Sequence, residues 1–189
     1  MMTAAGAALL YALALILLAV LHARDRRSPL HTAVSDYATG PQRGLFAAYG
    51  LAGTVAAGLL ASAIWITPQM PRQAALWLAA TVPVRLMLMA APTDAPDRPA
   101  TARGRVHLLL AIAGFALVYT AIRRTTPAAL ELAGPLAPGL ALLGHVITAG
   151  LAMVVLILPI PGRRWFGLAE RVFLIGTTLW LMTLALLLT

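Results

Sequence analysis

The sequence predicts an all-α fold: a polytopic transmembrane bundle of six helices, with both termini on the extracytoplasmic side. Three observations carry this. Six long apolar stretches fill most of the 189 residues. Hydrophobic residues make up 61% and charged residues 11%, against roughly 25% charged in soluble domains. Nearly all the arginines lie in three of the gaps between the stretches. A hydrocarbon core about 30 Å thick takes a helix of about 20 residues, so six spans leave no length for a separate soluble domain. Residues 1–189 therefore read as one domain.

The first span is expected at 3–21, followed at once by Arg24, Asp25, Arg26 and Arg27. No positive charge precedes it, so it reads as a retained helix and not as a cleavable signal. The second covers 44–66 and stops before Thr67 and Pro68. A third, over 73–91, is interrupted by Pro83 and Arg85. The fourth runs over 104–122 and is closed by Arg123 and Arg124. A fifth covers 138–158, between Pro135 and Pro138 on one side and Pro159, Pro161 and Gly162 on the other; the sixth covers 166–188. Prolines and glycines in the gaps act as helix stops and turns.

Orientation follows from the arginines, because positive charge is retained on the cytoplasmic side. One face carries Arg24, Arg26, Arg27 and Arg43, then Arg98, Arg103 and Arg105, then Arg163, Arg164 and Arg171. The other carries Arg72, Arg123 and Arg124. The basic face is expected in the cytoplasm, which makes the location a cell inner (plasma) membrane. The net charge of +8 reflects this loop distribution and not an affinity for nucleic acid.

The absence of cysteine excludes disulfides, thiol nucleophiles and thiolate metal sites. All the basic residues are arginine, which excludes Schiff-base and P-loop lysine chemistry. Small residues recur every fourth position at Gly50, Thr54, Gly58 and Ser62. Such a seam lets helix backbones approach closely; it reads first as packing within the bundle and otherwise as a homo-oligomer contact. Met87, Met89 and Met153 read as lipid-facing residues or filler.

Ionisable groups at membrane depth are costly and point to function. Arg85 is placed about 10 Å inside the cytoplasmic end of its helix, where it can snorkel or pair with Asp94, Glu170 or Asp36. His107 opens the fourth helix and Asp94 begins the loop leading to it, so an Asp–His pair is expected. A capping Asp beside an interfacial His is the plainer reading of the same residues. Asp36 lies in the first basic loop, and Glu170 and Arg171 open the last helix, where the helix dipole alone favours an acid. His145 lies about 16 Å deeper than His107, which excludes the two as axial ligands of one haem. It reads as an interhelical contact, leaving His22 and His107 as the remaining haem pair.

Three strings stand out: Ser-Asp-Tyr-Ala-Thr-Gly-Pro at 35–41, Pro-Thr-Asp at 92–94 followed by Gly104 and His107, and Gly-Leu-Ala-Glu-Arg at 167–171. Together, and in this order, they resemble the bacterial six-helix membrane family catalogued as domain of unknown function 998. Ala91 stands where the family pattern carries phenylalanine. The resemblance implies a six-helix fold and a polar site built from these strings, and it implies no reaction.

Two functional readings follow. In the first, Asp36, Arg85, Asp94, His107, Glu170 and Arg171 form a cytoplasmic-side pocket for a small anionic solute or lipid headgroup, with Arg103 and Arg105 nearby. Guanidinium suits bidentate contacts with phosphate or carboxylate. In the second, Asp94 and His107, joined by Asp36, His22, His31 or Glu170, hold zinc in a membrane-embedded hydrolase of lipid, amide or ester substrates. No Gly-x-Ser-x-Gly elbow or His-Glu-x-x-His accompanies them.

Overall fold

The computed structural model describes residues 2–25, 27–91, 93–94, 101–160 and 164–189. Arg26, Pro92, Arg98, Pro161, Gly162 and Arg163, named above, lie outside them. Six α-helices follow one another: α1 (Met2–Arg24), α2 (Arg43–Ile66), α3 (Arg72–Ala90), α4 (Ala102–Ala133), α5 (Ala137–Ile157) and α6 (Phe166–Leu187). A short 3-10 helix, Val34–Thr39, lies between α1 and α2, and another, Gly134–Leu136, joins α4 to α5. Among the described residues, five helical stretches are long and apolar enough to cross a membrane. They are α1, α2, α3, α6 and the continuous stretch Ala102–Ile157, which takes in α4 and α5.

That fourth stretch of 56 residues would be about 84 Å long if straight, far more than a bilayer. It folds back instead: α4 and α5 pack on each other, and both touch α6. The reversal falls at Gly134, whose φ of 51° is open to glycine and costly for other residues.

The expected end of α4 at Arg123 and Arg124 is corrected, because the helix runs on to Ala133. Both arginines are exposed, so their charges do not oppose the helix, and Ala128, Ala129, Leu130 and Glu131 are strong helix formers. Pro127 lies inside the helix and removes a backbone donor. Thr125 Oγ1 donates to the Ala121 and Ile122 carbonyls, and Thr126 Oγ1 to Ile122, which supplies hydrogen bonds in that turn. Pro83 likewise leaves α3 continuous, with Thr81 Oγ1 donating to the Leu78 carbonyl.

Each helix packs on the next in chain order, and α6 packs back on α1, closing a ring. The sequence shows why these faces meet. On α1, Ala4, Ala7, Ala8, Tyr11, Ala14, Leu18 and Leu21 are buried, spaced by three or four as one helix face requires. Its small residues admit α2 and α6 at close range. Trp180 and Phe173 of α6 are wholly buried. The small-residue seam of α2 turns toward α3: a Cβ at Gly50 would meet Met89 Sδ at 3.0 Å, and one at Gly58 would meet Val82 at 3.7 Å. His145 is exposed on α5, which corrects its expected interhelical place. Met87 and Met153 are exposed as well.

Candidate functional site

Antiparallel neighbours bring the α1–α2, α3–α4 and α5–α6 connections to one end of the bundle. A cavity of about 660 Å³ opens there. Its walls come from the first loop, α2, α3, α4, α5 and α6, and it reaches down to Val118 and Thr177. Asp36, Arg85, Asp94, His107 and Glu170 all line it. Five of the six expected site residues are thus brought together.

Arg171 is the sixth, and it stands behind the wall. Its side chain is 6% exposed and wholly engaged: Nε donates to His22 Nε2, Nη1 to the Thr32 carbonyl at 2.6 Å and to Gly167 O, and Nη2 to Tyr37 Oη at 3.0 Å. The guanidinium also faces the Tyr37 ring, which Arg27 approaches too. This is a clamp that holds the first loop on α6. His22, offered above as a haem or zinc ligand, is spent in it.

Glu170 completes the same junction from the cavity side. It is 6% exposed, and its Oε2 accepts the Val34 backbone N–H at 2.6 Å. Leu168 N donates to the Leu30 carbonyl at 3.1 Å. Gly167 lies so close under the loop that a Cβ would strike the Pro29 and Thr32 carbonyls. The Gly-Leu-Ala-Glu-Arg string is therefore the seat on which Ser-Asp-Tyr docks. Before it, Trp165 adopts a left-handed conformation with φ of 70°, costly for a residue with a Cβ. Its N–H donates to His31 Nδ1 at 3.4 Å and its ring meets His31 edge to face, anchoring the strained turn.

Asp36 accepts the Ala33 N–H on Oδ2 at 3.1 Å. Burial raises its pKa above the ordinary carboxylate value, against opposing pulls from that hydrogen bond and from Arg27, Arg171 and His107. Asp25, by contrast, is ion-paired with Arg27, whose hydrogen bonds hold its pKa below the usual range.

The expected Asp94–His107 pair does not form. Asp94 Oδ1 accepts from Thr101 Oγ1 and Oδ2 from Thr101 N, both at 2.7 Å, and these bonds lower its pKa. Its carboxylate rests on Gly104, leaving no room for a Cβ. Thr101 in turn caps α4 by accepting from Gly104 N at 3.1 Å, as an N-cap should. The His107 partner is the Ala91 carbonyl, 2.6 Å from Nδ1. A carbonyl only accepts, so Nδ1 carries a proton, which in the singly protonated ring leaves Nε2 as the acceptor. Arg103 donates to the Ala90 carbonyl at 2.8 Å. Both side chains thus cap the end of α3.

Arg85 remains. Its Nη1 lies over Gly53 of α2, 2.7 Å from where a Cβ would stand. Among the described residues it forms no ion pair with Asp36, Asp94 or Glu170 and no hydrogen bond; the ion pair there is Arg27–Asp25. Tyr49 and Thr177 also line the cavity, and sequence reasoning passed over both. Tyr49 had one signal, a phenol next to the small-residue seam; Thr177 looks like any threonine in an apolar helix.

The zinc reading finds no donor set. Among the described residues no three His, Cys, Asp or Glu side chains converge on a point, and both Asp94 oxygens are taken by Thr101.

These features define the class: a membrane-helix bundle whose polar side chains gather round one end of a cavity otherwise walled by aliphatic and aromatic groups. The chain belongs to the family described as protein of unknown function (DUF998), whose model matches residues 4–187. No curated protein and no solved structure matches it.

Proposed function

We propose that this protein binds, or carries, a small anionic group in the loop-end cavity: a solute anion or the headgroup of a lipid. Arg85 is its anchor. The membrane is the cell's inner (plasma) membrane, and the cavity opens to the cytoplasm. Counted along the sequence, ten arginines fall in or beside the α1–α2, α3–α4 and α5–α6 connections against three on the opposite side, which supports the orientation.

One observation carries the reading. A guanidinium with a rigid fork of donors stands inside a cavity of about 660 Å³, and no described residue accepts from it. A charge left unpaired in low dielectric is expensive, and a phosphate or carboxylate would satisfy it in bidentate fashion. The volume falls in the range of about 300–1,000 Å³ usual for ligand pockets.

Native mass spectrometry of the gently solubilised protein tests it. Wild type should carry a phosphate- or carboxylate-bearing ligand that Arg85→Ala loses and Arg85→Lys retains in part, since lysine keeps the charge without the fork. Equal retention by the alanine variant would remove the anchor. Labelling of single cysteines placed at Thr93 and Thr101 reports the side of the membrane, and protection from cytoplasmic reagents would reverse the orientation.

A further inference from the structure

The charges of the cavity are stratified by depth, and helix direction explains how. Side chains on a helix lean toward its N-terminus. α4 and α6 begin at the loop end, so His107 and Glu170 lean toward the mouth, where they meet Ala91 and Val34. α3 ends there, so Arg85 leans inward. It lies against Gly53, about 15 Å along α2 from its start at Arg43, whereas Glu170 is only about 6 Å into α6.

The mouth is therefore a ring of acceptors. Glu170 has one oxygen taken by Val34 and no described residue on the other, Asp36 has one oxygen taken by Ala33, and His107 offers Nε2. Of the nearby cations, Arg27 is committed to Asp25 and Arg171 to the loop clamp, while Arg105 lines the cavity from the first turn of α4 and is exposed. Below the mouth stands the fork of Arg85. Below that the walls turn apolar, with Phe115 and Val118. Acceptors, then a cation, then hydrocarbon is the complement of an ammonium, then a phosphate, then an acyl chain.

We propose that the ligand is a phospholipid with a primary ammonium on its headgroup. The ammonium donates to Glu170, Asp36 and His107 at the mouth, the phosphate rests on Arg85, and an acyl chain enters the apolar end. This rests on the anion reading above and adds the cation and the tail. A simple anion leaves the acceptor ring unused. A quaternary ammonium brings charge without N–H donors, and a glycerol headgroup brings donors without charge.

The full chain in detergent is titrated with short-chain phospholipids bearing ethanolamine, choline or glycerol headgroups, and separately with free phosphoethanolamine. Binding is read by native mass spectrometry. The ethanolamine lipid should bind about tenfold or more tighter than the other two, the equivalent of one charge-assisted hydrogen bond. Glu170→Gln should erase that preference while keeping affinity for the glycerol lipid, because the amide oxygen still accepts from Val34 and preserves the fold. Asp36→Asn should reduce the preference as an independent check. Arg85→Gln should weaken all three lipids. Equal binding of the three lipids by wild type overturns the ammonium site, while dependence on Arg85 keeps the anion reading. Lipid binding indifferent to Arg85→Gln overturns both. Free phosphoethanolamine binding as tightly as the lipid overturns the acyl-chain assignment in favour of a soluble zwitterion.

Discussion

Replacing Arg171 by alanine removes a buried cation and every hydrogen bond it donates. Three of these cross from α6 to other elements, to His22, Thr32 and Tyr37. Bonds with a charged donor contribute roughly 1.5–3 kcal/mol each in soluble proteins, whereas side-chain bonds inside membranes average about 0.6 kcal/mol. This junction lies at the polar end of the bundle, between the two regimes, so the loss should be about 2–5 kcal/mol. At about 2–4 °C per kcal/mol for a chain of this size, the melting temperature should fall by about 4–20 °C. Arg171→Lys should recover part of it, since ammonium supplies donors without the planar fork. Thermal unfolding in detergent gives the number, and amide exchange gives the place: the Val34 N–H, bonded to Glu170, should lose protection as the loop lifts. An alanine variant that melts with wild type and keeps Val34 protected would refute the clamp.

Two further outcomes follow from the geometry. Burial raises the folded-state pKa of Asp36, so the folded protein binds the extra proton between the ordinary and the raised value, and stability falls as pH rises through that window. Asp36→Asn, whose amide oxygen still accepts from Ala33, should therefore raise the melting temperature at pH 7 and leave it unchanged below the ordinary carboxylate pKa. A variant melting lower than wild type at pH 7 contradicts this. Gly150→Leu should cost about 2–3 kcal/mol by overpacking, because even a Cβ there would meet Phe173 N at 2.9 Å and Cα at 3.2 Å across the α5–α6 contact; unchanged thermal stability would show that the two helices can separate cheaply.

The spans were readable because a bilayer imposes one length and one polarity on every segment. Four of the six helices begin and end within two residues of expectation, and α1 overruns its expected end by three. The sixth, α4, was not, since Arg123 and Arg124 look like a boundary in a linear reading, and only the fold shows them exposed on a helix that continues. Which polar residues share a cavity was largely legible too, because alternate loops must meet at one end. Their partners were not. Asp94 and His107 carry the right chemistry for each other, yet each found a nearer group in Thr101 and the Ala91 carbonyl. Arg171 shows the same limit: adjacent to Glu170 in sequence, it faces the other side of the wall. Backbone carbonyls and amides carry no residue label, so competition from them is invisible until the chain is folded.

The ring of helices closes between its first and last members, and this orders assembly in time. The alanine stripe of α1 is covered by α2 and by α6, and the first loop rests on Gly167, Glu170 and Arg171. A growing chain makes that loop first and its seat last, so the mouth of the cavity stays unfinished until the final helix has left the ribosome and entered the bilayer. Chains that stop before α6 would present an open trough instead of an enclosed chamber, a form quality-control proteases could recognise by its bare small-residue groove.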